Sequence, residues 1–256
     1  MHPTPPNTQS GKNPKKRLRI ASYNIRKAVG LDWKRDADRI IRVIREIDAD
    51  VIALQEADKR WGSRQGTLPT NSLRDLHYYY FVDFDKRCTN KNEVDYNNLS
   101  HGWHGNAILY RTPLQQVSAE KIKLPTLEPR GAVSTVLETP DHNFQFIGTH
   151  LSLLGHMRAR QVRYLSNKVS DAPFQLPTII AGDFNEWRKT GKAHRAAGHG
   201  FEVITPGPSY HATRPTIPLD RFVVWGDIRV HKTGVHATPL AKRASDHLPV
   251  YMDVSF

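Results

Sequence analysis

The stretch Pro177–Trp187 reads PTIIAGDFNEW. Its apolar run of Ile179, Ile180 and Ala181 has the length and β-branched content of a buried strand. The run then breaks into Gly182, Asp183, Phe184 and Asn185. A carboxylate at the mouth of a buried strand costs desolvation unless a partner compensates it. Gly, Asp and Asn are also common turn residues, so two readings stand: a turn, or a site that binds metal or moves protons. On an extended backbone, residues two apart share a face, and Asp183 and Asn185 are therefore expected to project together.

The same pattern recurs along the chain. LRIASYNI (Leu18–Ile25) reads as a strand carrying Asn24 near its end, and DVIALQE as a short buried strand closing on Glu56. Between them Ala37, Ile40, Ile41, Ile44 and Ile47 recur at helical spacing with charges on the other face. HYYYFVDF, GNAILYR, AVSTVLET and FQFIGTH read as further strands, the last closing on His150. A helix is expected after it, with Met157, Gln161, Tyr164, Leu165 and Lys168 on one face. LDRFVVWG and HLPVYMDVSF complete the strands, with Asp220 and Asp246 at their polar ends. Polar strand ends thus occur in both halves, which suggests two similar halves, each a sheet with outer helices. No repeat of fixed period and no linker divides the chain, so residues 18–256 are expected to form a single domain.

Composition bounds the function. The chain has 256 residues, 37 Lys plus Arg against 25 Asp plus Glu, and a net charge of +12. Its mean hydropathy is -0.57 and its pI about 9.9. No run approaches the roughly 20 apolar residues of a membrane helix, and no apolar segment marks the N-terminus as a signal peptide. A soluble, cytoplasmic and monomeric protein is expected. Residues 1–17, rich in Pro, Asn, Ser and Lys, read as a disordered basic tail. The single cysteine, Cys88, excludes an intrachain disulfide and a thiolate cage for zinc. Excess positive charge attracts polyanions, either nucleic acid or an anionic membrane face.

YNIRK, ALQE, GNAILYR, GTHLSLLGHMRARQ, IIAGDFNEW, LDRFVV and SDHLPV occur in this order from about Leu18 to Val254. Together they resemble the endonuclease/exonuclease/phosphatase superfamily, which includes DNase I, the apurinic endonucleases, neutral sphingomyelinases and inositol phosphate 5-phosphatases. The resemblance implies a four-layer α/β/β/α sandwich, DNase I-like, with two facing mixed sheets, outer helices and a site at one edge of the sheets. It also implies hydrolysis of a phosphoric ester by direct attack of water, with Mg²⁺ as cofactor and Mn²⁺ as a substitute. Whether one or two metals act stays open.

The resemblance assigns roles residue by residue. Glu56 matches the metal-binding glutamate, whose hard oxygens suit Mg²⁺. Asn24 supports the metal site, and the acidic neighbour that the apurinic endonucleases carry beside it is missing, leaving Arg26 to reach phosphate. Asp183 aligns or deprotonates the attacking water and Asn185 holds a phosphate oxygen. His247 and Asp246 are adjacent and cannot pair along one strand, so His247 needs another carboxylate; Asp220 matches that position, leaving Asp246 for metal. His150 matches the second histidine of the DNase I-like members, where the apurinic endonucleases carry a tyrosine. Asn106 is expected either to touch phosphate or to brace the site, Arg130 matches a position where a basic residue approaches the phosphate, and Arg158 and Gln161, on the helix after His150, are expected to buttress the site.

Other motifs carry less. His101 and His104 in HGWHG lack a third ligand and a helix for zinc. GSRQG lacks the lysine and hydroxyl of a phosphate-binding loop. HYYYF suits either base stacking or a core strand edged with tyrosine. No Gly-x-Ser-x-Gly elbow is present. Substrate choice falls to the loops. Arg188, Lys189, Lys192 and Arg195, just beyond Asn185, favour nucleic acid, DNA or RNA. The alternative is a phosphomonoester, a small phosphodiester or an anionic phospholipid at the same site.

Overall fold

The computed structural model describes residues 17–58, 66–68, 76, 78–84, 102–188 and 190–256. Cys88, His101, Lys189 and the expected tail up to residue 16 lie outside them. In chain order the elements are β1 (Leu18–Asn24), α1 (Ala37–Ile47), β2 (Val51–Gln55), β3 (Tyr79–Phe81), β4 (Gly102–Trp103), β5 (Asn106–Arg111) and β6 (Gln115–Lys123). The second half continues with β7 (Gly131–Glu138), β8 (Asn143–His150), α2 (Gly155–Ser170), β9 (Thr178–Asp183), α3 (Lys192–Ala196), β10 (Phe201–Ile204), β11 (Asp220–Trp225), β12 (Arg229–Val235), α4 (Ala241–Ala244) and β13 (Val250–Ser255). One sheet runs β12-β13-β1-β2-β5-β3, with β4 also on β5; the other runs β10-β11-β9-β8-β7-β6. Both are mixed: β1–β2 and β8–β9 are parallel, and the other named pairs are antiparallel. With α1 packed outside one sheet and α2 outside the other, the layers are α/β/β/α.

Period-two alternation builds these layers. Leu18 and Ile20 of β1 point into the core between the sheets, and Ala21 and Tyr23 into the core beneath α1. Ile179 and Ala181 of β9 likewise face the intersheet core, while Ile180 and the following Phe184 pack under α2. Phe144 and Phe146 of β8 and Phe222 and Val224 of β11 complete the inner layer. Continuing each alternation to the same end of the sandwich leaves Asn24, His150, Asp183 and Asp220 at the last inner positions. Hydrophobic side chains fill the middle of the sandwich, and the polar ones meet at its edge.

Register aligns them. Asp220 lies opposite Asp183, and His150 lies beside Asp183 in the parallel pair. The β8–β9 approach is close at this edge: a Cβ on Gly182 would stand 1.9 Å from the Thr149 carbonyl oxygen. Backbone cannot yield as a flexible side chain can, and crowding of this kind destabilises. Gly182→Ala is therefore expected to cost about 3 kcal/mol, read as a lower urea midpoint at unchanged m-value. A midpoint equal to wild type would contradict the registered packing.

The α1 helix follows its sequence signals. Asp36 caps it by accepting from the Arg39 amide at 2.8 Å, and Asp48 ends it in the left-handed region, at φ 50°. Ile40, Ile41, Ile44 and Ile47 are buried as their spacing requires. The α2 face differs from expectation. Met157, Arg158, Gln161, Val162, Leu165 and Val169 are buried, whereas Tyr164 turns outward. Strands β6, β10 and β12 lack a sequence signal because they are edge strands with mostly exposed or half-buried positions. Among the described residues no helix is long and apolar enough to cross a membrane.

Candidate active site

Asp183 is 1 % exposed and is the hub of the site. Its Oδ1 accepts from the Asn185 amide at 2.8 Å. Its Oδ2 accepts from Asn24 Nδ2 at 3.0 Å, with His150 Nε2 at 3.4 Å and His247 Nε2 at 3.6 Å. One carboxylate oxygen thus collects an amide from one sheet, an imidazole from the other and a second imidazole from the segment before β13. These partners offset the desolvation of a buried carboxylate. The backbone turns at this strand end, and the buried carboxylate is fully partnered.

His247 is held from behind. Its Nδ1 lies 2.8 Å from Asp220 Oδ2, which also accepts from Ser209 Oγ at 2.6 Å. The Tyr210 ring packs against the imidazole, with centroids 5.0 Å apart. Burial pushes the histidine pKa down, but the charge of Asp220, then that of Asp183, the Asp220 hydrogen bond and the charge of Asp246 outweigh it, raising the value from 6.5 to about 10. A raised histidine supplies stability that is fully present below pH 6.5, its ordinary value, and is lost as pH climbs through about 10. The stability gap between wild type and Asp220→Asn is accordingly expected to narrow over that window. Urea unfolding at several pH values measures it, and a gap constant from acid to alkaline pH would contradict the coupling.

Left-handed backbone clusters around Asn24. Arg26, Lys27 and Ala28 have φ values of 46°, 57° and 59°, and Glu56 has 54°. Such conformations persist where surrounding bonds hold them. Here the Lys27 amide donates to the Glu56 carbonyl at 3.0 Å, and Lys27 Nζ lies 2.7 Å from Glu56 Oε2. Arg26 donates its amide to Asn24 Oδ1 at 3.1 Å. Its Nε lies 3.5 Å from Asp246 Oδ2, and its guanidinium stands 4.6 Å from the Trp33 ring centroid. Ser245 Oγ donates to the Asn24 carbonyl at 2.7 Å, joining the segment that carries Asp246 and His247 to β1.

Asn185 departs from the expected geometry. β9 ends at Asp183, and Asn185 has φ 49°, so the two side chains are not successive positions on one strand face. Asn185 Nδ2 donates to the Leu151 carbonyl at 2.9 Å and ties the ends of β9 and β8 together. Asn106 is buried at 1 %, and its Nδ2 donates to the Gly131 carbonyl at 3.0 Å. Arg130 is buried with Nε 3.1 Å from Glu128 Oε2, and Glu128 Oε1 accepts from Ser152 Oγ at 2.6 Å. Gln161 Oε1 accepts from the Ser152 amide at 2.9 Å, and Arg158 lies 3.6 Å from Glu186. Arg188 and Lys192 are exposed.

Sequence reasoning overlooked Ser209, Tyr210, Ser245 and Arg221. Arg221, 1 % exposed, donates to the carbonyls of Glu186 and Arg188 at 2.9 and 2.6 Å. Burial lowers its pKa. It fixes the loop that follows Asp183. Adjacency to the LDR and SDH motifs was a signal for Arg221 and Ser245; Ser209 and Tyr210 had none.

Asp183, Asp220 and His247 bring one ligand atom each within 4.8 Å of one another, an arrangement compatible with a divalent cation. Glu56 and Asp246 each already face a side-chain cation, Lys27 and Arg26 respectively. The donor chemistry is carboxylate, amide and imidazole, which suits hard and intermediate metals.

The family model of the Endonuclease/Exonuclease/phosphatase family matches residues 21–247. The chain belongs to this family. The Escherichia coli (strain K12) protein YbhP is 26% identical over 228 residues, covering 82% of this chain and 85% of that protein. Among solved structures, the mannosyl-6-phosphatase Bt3783 of Bacteroides thetaiotaomicron VPI-5482 superposes with a TM-score of 0.70 at 19% identity, covering 93% of this chain and 100% of that one. D. rerio TDP2 complexed with single strand DNA product superposes at 0.69 with 17% identity, covering 94% and 99%. These two likenesses establish the shared fold. Family membership and the acidic-histidine cluster support a metal-dependent phosphoric ester hydrolase.

Proposed function

We propose that the chain is a Mg²⁺-dependent phosphodiesterase acting on nucleic acid by direct attack of water at phosphorus. The convergence of Asn24, His150 and His247 on Asp183 Oδ2 carries the hydrolytic reading. The exposed Arg188, Lys192 and Arg195 just beyond Asp183 favour a substrate with phosphates beside the scissile one. D. rerio TDP2, which shares this fold, is complexed with a single strand DNA product, and this supports the reading.

Asp183 orients the attacking water and takes its proton as the new P–O bond forms and the ester P–O bond breaks. His247, kept protonated by Asp220, donates to a non-bridging oxygen as charge grows there, and His150 supports it from the adjacent strand. Asn24 holds the Asp183 carboxylate in place. Glu56 and Asp246, supported by Asn24, would hold Mg²⁺, which would supply Lewis-acid stabilisation of charge on phosphate and leaving oxygen. His247 is better suited to the phosphate than to the metal, because Asp220 and Asp183 favour its protonated form, which has no lone pair to offer a cation. Lys27 competes for the Glu56 carboxylate, so Lys27→Met is expected to tighten Mg²⁺ binding by roughly threefold to tenfold in calorimetry. Weaker binding in that variant would contradict Glu56 as a ligand.

Cleavage of long DNA is expected to fall steeply with salt, with a log–log slope of about 0.9 per phosphate neutralised. Replacing Arg188 and Lys192 together by alanine is expected to lower that slope by nearly two such increments, with little change on a short model diester. Coincident slopes for the two proteins would remove these residues from the substrate path.

One observation favours a second reading, an anionic phospholipid at a bilayer surface. Leu127 is 90%, Leu153 64% and Trp187 60% exposed, all on loops at the site edge. Side-by-side assays on DNA, phosphomonoesters and anionic vesicles decide: turnover of vesicles without DNA cleavage replaces the nuclease reading.

A further inference from the structure

We infer that Trp33 is a stacking platform for a nucleobase flanking the cleaved phosphodiester, a proposal that rests on the nucleic-acid reading above. Trp33 is 77% exposed at the tip of the loop between β1 and α1. An indole left in water loses the burial that ordinarily accounts for a tryptophan. The backbone there is not slack. Trp33 has φ 61°, in the left-handed region that bulky residues adopt only when held. Its amide donates to the Gly30 carbonyl at 3.0 Å, and the Gly30 amide to the Lys34 carbonyl at 3.0 Å. The loop closes through a bridge between Val29 and Arg35 and docks on α4 through the Leu31 amide and the Arg243 carbonyl, 3.1 Å apart. Asp32 is gripped by both Arg39 terminal nitrogens at 2.9 and 3.0 Å.

Position connects this ring to the chemistry. Arg26 lies over one face of the indole and reaches Asp246 at 3.5 Å. The Arg26 amide is bonded to Asn24, and Asn24 to Asp183. With one face backed by a guanidinium and most of the ring open to water, the indole offers its free surface to a planar group. In a nucleic acid, the planar group nearest a phosphodiester is the base one sugar away. Stacking tolerates any base, since each has a π-face, so the platform orients the strand without reading its sequence.

The test compares wild type, Trp33→Ala and Trp33→Phe on a short oligothymidylate and on an oligomer of equal length whose sugars carry no bases. Alanine is expected to raise KM on oligothymidylate by roughly 5- to 100-fold, with kcat little changed. The base-free oligomer is expected to show KM and kcat within about twofold of wild type, because it has nothing to stack. Phenylalanine restores most of the loss. Equal losses on both substrates would reveal a structural role and overturn the proposal, as would no loss on either. A wild type that cuts neither oligomer overturns the nucleic-acid reading and the proposal together; a wild type that cuts both, unaffected by Trp33→Ala, overturns the proposal alone.

Discussion

Asp183→Asn is expected to lower kcat by about 10³- to 10⁴-fold on any phosphodiester the wild type turns over. The change keeps the shape of the side chain and removes its negative charge. Three losses follow from one substitution. The attacking water has no base, the His247 imidazolium loses one of the charges that raise its pKa, and the Asn24 amide meets a neutral partner or another donor. Folding should survive, because Asn retains an oxygen for the Asn185 amide. Rates from purified variant and wild type, with urea midpoints for both, check this. A folded variant within tenfold of wild type would mean that Asp183 is a turn residue with polar neighbours and no part in chemistry.

The second large effect belongs to His247. His247→Ala is expected to reduce kcat roughly 10²- to 10³-fold, the range for removing one donor to a developing oxyanion. Asp220→Asn should act through the histidine and so act differently. Without the carboxylate, the imidazolium no longer persists toward pH 10 and deprotonates at lower pH. Its activity is therefore expected to be closest to wild type at acidic pH and to fall away as pH rises, whereas His247→Ala is low throughout. Matching pH profiles for the two variants would contradict the assigned division between a donor and the group that keeps it charged.

Much of this site was legible before the structure, for a definite physical reason. A strand that faces a second sheet must be apolar on that face, so a polar residue at the next inner position marks where the sandwich ends. Asn24, His150, Asp183 and Asp220 each follow such an alternation, and the helix of Ile40, Ile44 and Ile47 marks an outer layer by its period. Pairing was less legible. That His150 and Asp220 flank Asp183 is a matter of register across three strands far apart in sequence. Asn185 misled because an extended continuation was assumed where the backbone turns to φ 49°. Ser209 and Tyr210 sit in a loop without periodicity, and only the fold brings them to Asp220 and His247. Strands β6 and β12 were hidden because an edge strand exposed to water carries no strict apolar face.

The loops decide substrate, and their signals point in two chemical directions. Arg188 and Lys192 suit polyphosphate, whereas Leu127, Leu153 and Leu154 suit an amphiphile.

The most direct test measures initial hydrolysis rates of purified wild-type protein on single-stranded DNA, duplex DNA, a sugar phosphomonoester and anionic phospholipid vesicles, each with Mg²⁺ and with excess EDTA. DNA cleavage that requires Mg²⁺, stops with EDTA and exceeds turnover of the other substrates is the predicted result. Mg²⁺-dependent turnover of the monoester or the vesicles with intact DNA would contradict the assigned substrate, and undiminished hydrolysis in EDTA would contradict the metal-dependent site itself.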